Sequence, residues 1–141
     1  MREPMTYEEA LYIEGLVRLT QERFQEIFTV FRGLVGDKPD VRDWQEEDLA
    51  LLDRAGTISG RLSEAWSDAE SPSPRLDRFH QDALDVVRRY AQALDACYRA
   101  ASSREPEAVA EANRLVMDAH MQSARLAVTL ADAFEVDLPS G

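Results

Sequence analysis

Two histidines are the residues of this chain most able to take part in chemistry near neutral pH, because imidazole changes charge in that range. They are His80 and His120. If the helices that carry them fold back on each other near residue 104, their side chains are offset by about eight residues, or ~12 Å at 1.5 Å of rise per residue. At that separation the two imidazoles cannot bind the same metal ion.

A carboxylate-bridged metal pair in a helical bundle needs a Glu-x-x-His motif on each of two helices. The nearest match here is Asp77 followed by His80, and Met117 occupies the corresponding position before His120. The sequence therefore predicts neither a metal site nor a bound cofactor. Instead, the same folding arithmetic places Tyr12 and Glu64 at the level of His80, which predicts a polar cluster. A nearby Glu64 carboxylate would favour the charged imidazolium of His80.

The nucleophilic residue types give no catalytic motif either. Cys97 is the only cysteine, and it lies between Leu94 and Ala101 at an apolar heptad position, where burial suppresses thiol reactivity. No serine lies in the Gly-x-Ser-x-Gly turn of the hydrolases. We therefore predict no catalytic residues, and the sequence favours a protein without enzymatic activity.

The charge balance narrows the class of partner. The 141 residues include 16 Lys and Arg and 27 Asp and Glu, a formal net charge of −11, and the basic residues are scattered among acidic ones. Such a chain repels nucleic acid and anionic membranes. Its apolar runs are far shorter than the roughly 20 residues that cross a bilayer, and the start of the chain lacks the apolar core of a secretory signal. The expectation is a cytoplasmic protein whose partner is another protein or a second copy of itself.

Apolar residues that recur at spacings of three and four, together with helix-start and helix-stop signals, predict four helices. Capping boxes begin at Thr6 and Asp43, Ser73 precedes a proline, and Pro106 opens the last helix. The predicted helices cover residues 7–35, 44–68, 74–101 and 105–135. Helices of similar length joined by short loops run antiparallel to their neighbours in sequence. We predict that residues 1–141 form a single all-α domain, an up-down-up-down antiparallel four-helix bundle.

The second helix is the least regular of the four. Its predicted inward face consists of six residues: Trp44, Leu51, Ala55, Ile58, Leu62 and Ala65. Gly56 and Gly60 lie in the middle of the helix, where glycine costs up to about 1 kcal/mol relative to alanine. The pair indicates either a kink or a close approach by a neighbouring helix.

The first helix carries more apolar residues than one core-facing stripe needs. The surplus residues, which form the predicted interaction surface, are Leu11, Tyr12, Leu16, Leu19, Phe28 and Val30. Two interpretations remain open: these residues cover the neighbouring helices of the same bundle, or they form a second interface for a partner helix or a second copy of the chain.

The sequence thus favours a non-catalytic acidic helical protein that acts through protein-protein interaction or self-association. The alternative is a bundle that binds a small molecule or a metal in its interior. That alternative would use both histidines and the core tyrosines, namely His80, His120, Tyr12, Tyr90 and Tyr98.

Overall fold

The computed structural model describes residues 4–38 and 40–134, and in these residues it contains four long helices and no strand. The prediction of an all-α fold is therefore confirmed. Among the helices of the described residues, none is both long enough and apolar enough to cross a membrane.

The four helices are numbered in chain order. The first helix, α1, covers residues 7–36 and is built from four consecutive segments: Tyr7–Leu11, Tyr12–Val17, Arg18–Phe31 and Arg32–Gly36. The other three helices are α2 (Glu46–Asp68), α3 (Asp77–Ser103) and α4 (Pro106–Phe134). Short 3₁₀ turns, Val41–Asp43 and Pro74–Leu76, precede α2 and α3. Helix α1 packs against α2 and α4, and α3 packs against the same two helices.

The capping box at the start of α1 is confirmed. The backbone N–H of Thr6 donates to Glu9 Oε1 at 2.9 Å, and the backbone N–H of Glu9 donates to Thr6 Oγ1 at 3.1 Å. These two bonds satisfy backbone donors that the first turn of a helix leaves without partners.

The predicted start of α2 is wrong by two residues, because Asp43 ends a 3₁₀ turn instead of capping the helix. The helix begins at Glu46, and Asp48 Oδ2 accepts the backbone N–H of Gln45 at 2.8 Å. Lys38 donates to the same oxygen at 2.8 Å. These two donors fix the first turn of α2 and hold the pKa of Asp48 below its usual value.

The end of α3 also differs from the prediction. Helix α3 continues to Ser103 and ends at Arg104, which has a left-handed backbone with φ of 58°. Helix ends of this kind usually carry glycine, so Arg104 gave no stop signal in the sequence. The predicted end of the last helix, at residue 135, lies outside the described residues.

Helix α1 contains two π-helical segments, Tyr12–Val17 and Arg32–Gly36, and the first of them explains why the start of its apolar stripe departs from the simple pattern. A π-helical turn accommodates an extra residue and so shifts the register of everything before it. The periodicity predicts Ala10 and Ile13 as inward-facing, whereas the buried residues are Glu9 and Tyr12, one position earlier in each case.

The inward face of α2 departs from the prediction in the opposite direction: three buried residues lie one position later than predicted, while Ala55 and Leu62 are buried as predicted. Its buried residues are Asp48, Leu52, Ala55, Ser59, Leu62 and Trp66. Leu51 is 46% exposed, Ala65 is exposed, and Ile58 is half-buried. Helix α2 therefore carries two neighbouring apolar stripes, of which the one containing Trp66 faces the core and the other faces outward.

The two mid-helix glycines of α2 have different surroundings, although the helix is continuous through both. A Cβ atom on Gly56 would lie 3.3 Å from Leu94 Cδ2 and 3.4 Å from Tyr98 Oη, whereas a Cβ atom on Gly60 would meet nothing within 4 Å. Only Gly56 therefore marks a close approach by a neighbouring helix.

We expect Gly60→Ala to raise the free energy of unfolding by up to about 1 kcal/mol, because alanine favours the helix and nothing obstructs its methyl group. Gly56→Ala, the matched control, must displace Leu94 or Tyr98 and is expected to gain less or to destabilise the protein. Urea denaturation of both variants measures the difference. A larger gain from Gly56→Ala would contradict the packing described here.

Candidate functional site

A surface groove runs between α1 and α2. Its wide section has a volume of about 480 Å³ and is lined by Leu16, Leu19, Arg23, Glu26, Arg54, Thr57, Ile58, Arg61, Leu62 and Ala65. Its narrow section, of about 310 Å³, is lined by Glu22, Gln25, Glu26, Thr29, Val30, Leu51, Arg54 and Ile58. Because three residues line both sections, the two form one continuous α1–α2 groove. From Leu16 to Val30 it extends for about 20 Å at 1.5 Å of rise per residue.

The α1–α2 groove has an apolar floor and charged edges. Leu19 is 44% exposed within it, and the outward stripe of α2, which contains Leu51 and Ile58, forms part of the opposite wall. Arg23 donates to Glu26 Oε1 at 2.5 Å on the α1 side. A continuous exposed apolar strip with polar edges is typical of a surface that binds another macromolecule.

Half of the predicted interaction surface lies in this groove. Leu16 and Leu19 line the wide section, and Val30 lines the narrow one. Leu11 is exposed but does not line either section.

Tyr12 and Phe28 do not belong to this surface, because both are buried in the core. The ring of Phe28 stacks on His120 with centroids 3.8 Å apart, and the ring of Tyr12 packs edge-on against Trp66 and Phe79. These two positions follow the first of the two interpretations, in which the surplus apolar residues cover neighbouring helices.

His80 lies in a buried aromatic cluster with Tyr12 and Trp66. Tyr12 Oη lies 2.8 Å from His80 Nδ1, within hydrogen-bonding distance, and the ring centroids of Trp66 and His80 are 5.2 Å apart. Burial lowers the pKa of His80, although the charge of Asp77 and a hydrogen bond to the Ala69 backbone act in the opposite direction. Burial also raises the pKa of Tyr12 above its usual value. The cluster therefore holds two neutral side chains in contact.

The predicted contact between Glu64 and His80 is not formed. Glu64 is exposed, and α2 presents Trp66 to the histidine instead. Two residues correspond to about 200° around a helix, so the inward position of Trp66 places Glu64 on the solvent side. The expected stabilisation of the imidazolium is therefore wrong, and the pKa of His80 shifts in the opposite direction.

The lowered pKa of His80 predicts that the protein loses stability as the pH falls below about 6.5, the ordinary pKa of histidine. In that range the unfolded chain binds a proton at this residue more readily than the folded one, so protonation favours unfolding. Urea denaturation between pH 8 and pH 5.5 measures the slope. His80→Asn retains a hydrogen-bond acceptor near the position of Nδ1 and is expected to reduce the slope, whereas an unchanged slope would exclude His80 as its source.

A second buried polar cluster surrounds Glu9, whose side chain is 1% exposed. Arg75 donates to both carboxylate oxygens, at 2.6 and 2.7 Å, and Ser73 Oγ donates to Oε2 at 2.7 Å. These bonds and the one from the Thr6 backbone hold the pKa of Glu9 far below its usual range despite burial, and the largest contribution comes from Arg75. The Arg75 guanidinium also lies 4.3 Å from the ring centroid of Phe134.

This Glu9–Arg75 cluster joins the start of α1, the turn before α3 and the end of α4. Its carboxylate is surrounded by donors and stays ionised near neutral pH, so it is suited to holding segments together and not to transferring protons. Sequence analysis identified Glu9 only as part of a capping box. The arginine is 66 residues away along the chain, and no local pattern connects the two.

His120 lines a separate cleft of about 300 Å³ together with Gln21, Gln25, Tyr90 and Ser123. Ser123 Oγ donates to the backbone carbonyl of His120 at 2.7 Å, so this hydroxyl is directed at the backbone and not at the imidazole. The pair therefore lacks the hydrogen bond that activates a serine nucleophile.

The other candidate residues lie apart from this cleft. Tyr98 bonds to Asp53 between α3 and α2, and burial together with that carboxylate raises the pKa of Tyr98 to about 12. Cys97 is fully buried, which raises the pKa of its thiol to about 12. The histidines and tyrosines of the alternative prediction are therefore divided among three places. In the part of the chain that the structure describes, no three His, Cys, Asp or Glu side chains are grouped so as to hold a metal ion.

Comparisons of the chain with protein-family models, with curated proteins and with solved structures find no match.

Proposed function

We propose that this protein is a non-catalytic interaction module, a four-helix bundle that binds a partner protein in its α1–α2 groove. The observation that carries the proposal is the groove itself, about 20 Å of apolar floor between two helices. A groove between helices exposes no strand edge for β-pairing, so the recognition mode that fits it is a helix laid into the groove.

The proposed arrangement of the bundle is up-down-up-down and antiparallel. Between α1 and α2, Trp66 donates a hydrogen bond to Thr20, and Lys38, just after the end of α1, donates one to Asp48. Residue numbers therefore rise along α1 as they fall along α2. Between α1 and α3 the numbers rise together, since Tyr12 meets His80 and Phe24 stacks on Tyr90. Both relations are those expected of an antiparallel bundle in which first and third helices run parallel.

We propose a cytoplasmic location and a protein as the partner, and the chemistry of the remaining surface supports the choice of a protein. The net charge of −11 disfavours nucleic acid. The titratable groups best able to act near neutral pH are engaged elsewhere, with His80 buried against Tyr12 and His120 stacked on Phe28. A stable surface with an apolar floor and no poised acid, base or nucleophile is suited to binding alone.

Site-specific photo-crosslinking tests this proposal. A photoreactive residue at Leu19, within the groove, is expected to form a defined adduct in cells, and Leu51→Glu on the opposite wall is expected to abolish it. Val128, 62% exposed on α4, is the matched control position. An adduct with twice the mass of the chain would identify self-association. The proposal fails if Val128 yields the same adduct or if Leu51→Glu leaves the Leu19 adduct unchanged.

A small-molecule binder is the second candidate, and the cleft beside His120 is the observation in its favour. Its glutamine, tyrosine, serine and histidine side chains offer hydrogen bonds to a small polar ligand. A thermal-shift screen of polar metabolites and divalent metals, repeated on His120→Ala, tests it. Stabilisation that is lost in the variant would support the second candidate, and no stabilisation by any compound would remove it.

A further inference from the structure

We infer that the segment bound in the α1–α2 groove is an acidic amphipathic helix; this inference rests on the proposed function. The chain as a whole carries 27 acidic residues against 16 basic ones. The wide section of the groove reverses this balance, since its charged residues are Arg23, Arg54, Arg61 and Glu26. A local excess of positive charge around an apolar floor attracts a partner of opposite charge.

The two arginines of α2 define where the acidic residues of the partner lie. Arg54 and Arg61 are both exposed and are separated by seven residues, about 10.5 Å along the helix at 1.5 Å of rise per residue. Within the described residues neither forms an ion pair, whereas Arg23 is paired with Glu26. Two carboxylates one heptad apart on a partner helix would meet both guanidinium groups, which bind carboxylates through two parallel hydrogen bonds.

The narrow section gives the groove a direction. There Glu22 and Glu26 face Arg54, so the excess of positive charge ends before the groove does. The acidic part of the partner therefore lies over Arg54 and Arg61, and the part that lies over Glu22 is neutral or basic. A helix of about 14 residues spans the full length.

A second copy of this chain fits the groove less well. On α4, Glu111 and Asp118 are one heptad apart, but both are already paired within their own chain, with Arg114 and Arg89. The exposed apolar residues Met121 and Val128 flank Arg125, which docking would place near Arg54 or Arg61, and like charges brought together oppose association.

Three labelled helical peptides of about 16 residues test the inference by fluorescence anisotropy. They share one leucine face and differ in the flanking residues, which are glutamate, glutamine or lysine. At low salt we expect the glutamate peptide to bind about tenfold or more tightly than the glutamine peptide, and this advantage to shrink with added salt as charges are screened. The lysine peptide is expected to bind weakest.

Charge reversal of the groove supplies the decisive comparison. The double variant Arg54→Glu with Arg61→Glu is expected to lose affinity for the glutamate peptide by about tenfold or more and to gain affinity for the lysine peptide. Arg114→Glu with Arg125→Glu makes the same change of net charge on α4 and is expected to leave both affinities unchanged. Circular dichroism confirms that each variant remains folded.

Each other outcome overturns the inference in a way that separates it from the proposed function. If the glutamine and glutamate peptides bind equally and Leu19→Glu weakens both, the groove binds helices without a preference for acidic ones. If no peptide binds, the acidic helix is excluded, and the crosslinking result at Leu19 decides the proposed function alone. If sedimentation shows a dimer that Arg54→Glu with Arg61→Glu dissociates, the occupant is a second copy.

Discussion

Replacing Arg75 with alanine is expected to lower the free energy of unfolding by about 3–5 kcal/mol, because it leaves a buried carboxylate without its counter-ion. The Glu9 side chain is 1% exposed, and Arg75 provides the largest contribution to its lowered pKa. Ser73 and the Thr6 backbone remain as donors in the variant, but neither carries a charge. Urea denaturation at pH 7 measures the loss.

The matched control is Arg114→Ala, which removes an ion pair with Glu111 on the exposed surface of α4. Water screens that pair, so the expected loss is much smaller than that from Arg75→Ala. Equal losses from Arg75→Ala and Arg114→Ala would show that the buried pair is not needed to hold the ends of α1 and α4 in place. The double variant Glu9→Gln with Arg75→Met removes both charges and is expected to recover part of the stability that Arg75→Ala loses.

The dependence of stability on pH tests the contribution of the Glu9–Arg75 ion pair independently. In the unaltered protein the folded-state pKa of Glu9 is lowered, so its contribution is present above the unfolded value of about 4.5 and declines as the pH falls below it. Arg75→Ala removes the largest contribution that lowers the pKa of Glu9 while burial still acts to raise it, so this pKa is expected to rise. The stability deficit of Arg75→Ala is therefore expected to shrink between pH 6 and pH 4, and a constant deficit would contradict this account.

The existence of the four helices could be predicted because their apolar residues recur with the period of a helix and because capping residues mark several ends. The predicted core positions Val87 and Leu126 are buried, and Phe24 is buried on α1. These positions follow from periodicity alone, since a regular α-helix keeps its stripe in register over many turns.

The register failed where the backbone or the composition departs from a simple helix. In α1 the π-helical segment Tyr12–Val17 shifts the buried positions before it by one residue, and nothing in the residue types signals that extra residue. In α2 two apolar stripes lie side by side, and periodicity cannot tell which one faces the core. The choice depends on tertiary packing, in which the large ring of Trp66 fills the space against Tyr12 and His80.

The candidate groove could therefore be predicted only from one side. The excess of apolar residues on α1 indicated an interface, and Leu16, Leu19 and Val30 line the groove. The opposite wall was hidden because Leu51 and Ile58 had been assigned to the core. The arginines that give the groove its charge appeared scattered along the sequence, and only the pairing of α1 with α2 brings Arg23 close to Arg54.

Trp66→Ala is expected to cost about 3–5 kcal/mol of stability, the usual range for removing a large buried aromatic side chain. Trp66 is 1% exposed, its ring lies 5.9 Å from that of Tyr12 between centroids, and its Nε1 donates to Thr20 Oγ1 at 2.8 Å. The variant leaves a cavity where α1, α2 and α3 meet, next to His80. Chemical denaturation measures the loss, and circular dichroism establishes whether the variant is still helical.

Two further variants keep this prediction testable even if Trp66→Ala does not fold. Trp66→Phe retains an aromatic ring but removes the indole N–H, and it is expected to cost less than Trp66→Ala because Thr20 Oγ1 still has a bond to the Leu16 carbonyl at 2.7 Å. Trp44→Ala is the control, since Trp44 is half-buried and its Nε1 bonds to the Lys38 carbonyl near the protein surface. A loss of stability from Trp44→Ala as large as that from either Trp66 variant would contradict the central position in the core of the aromatic cluster formed by Tyr12, Trp66 and His80. A clear ranking with Trp66→Ala the most damaging would support it, because the cost of a cavity grows with the volume left unfilled.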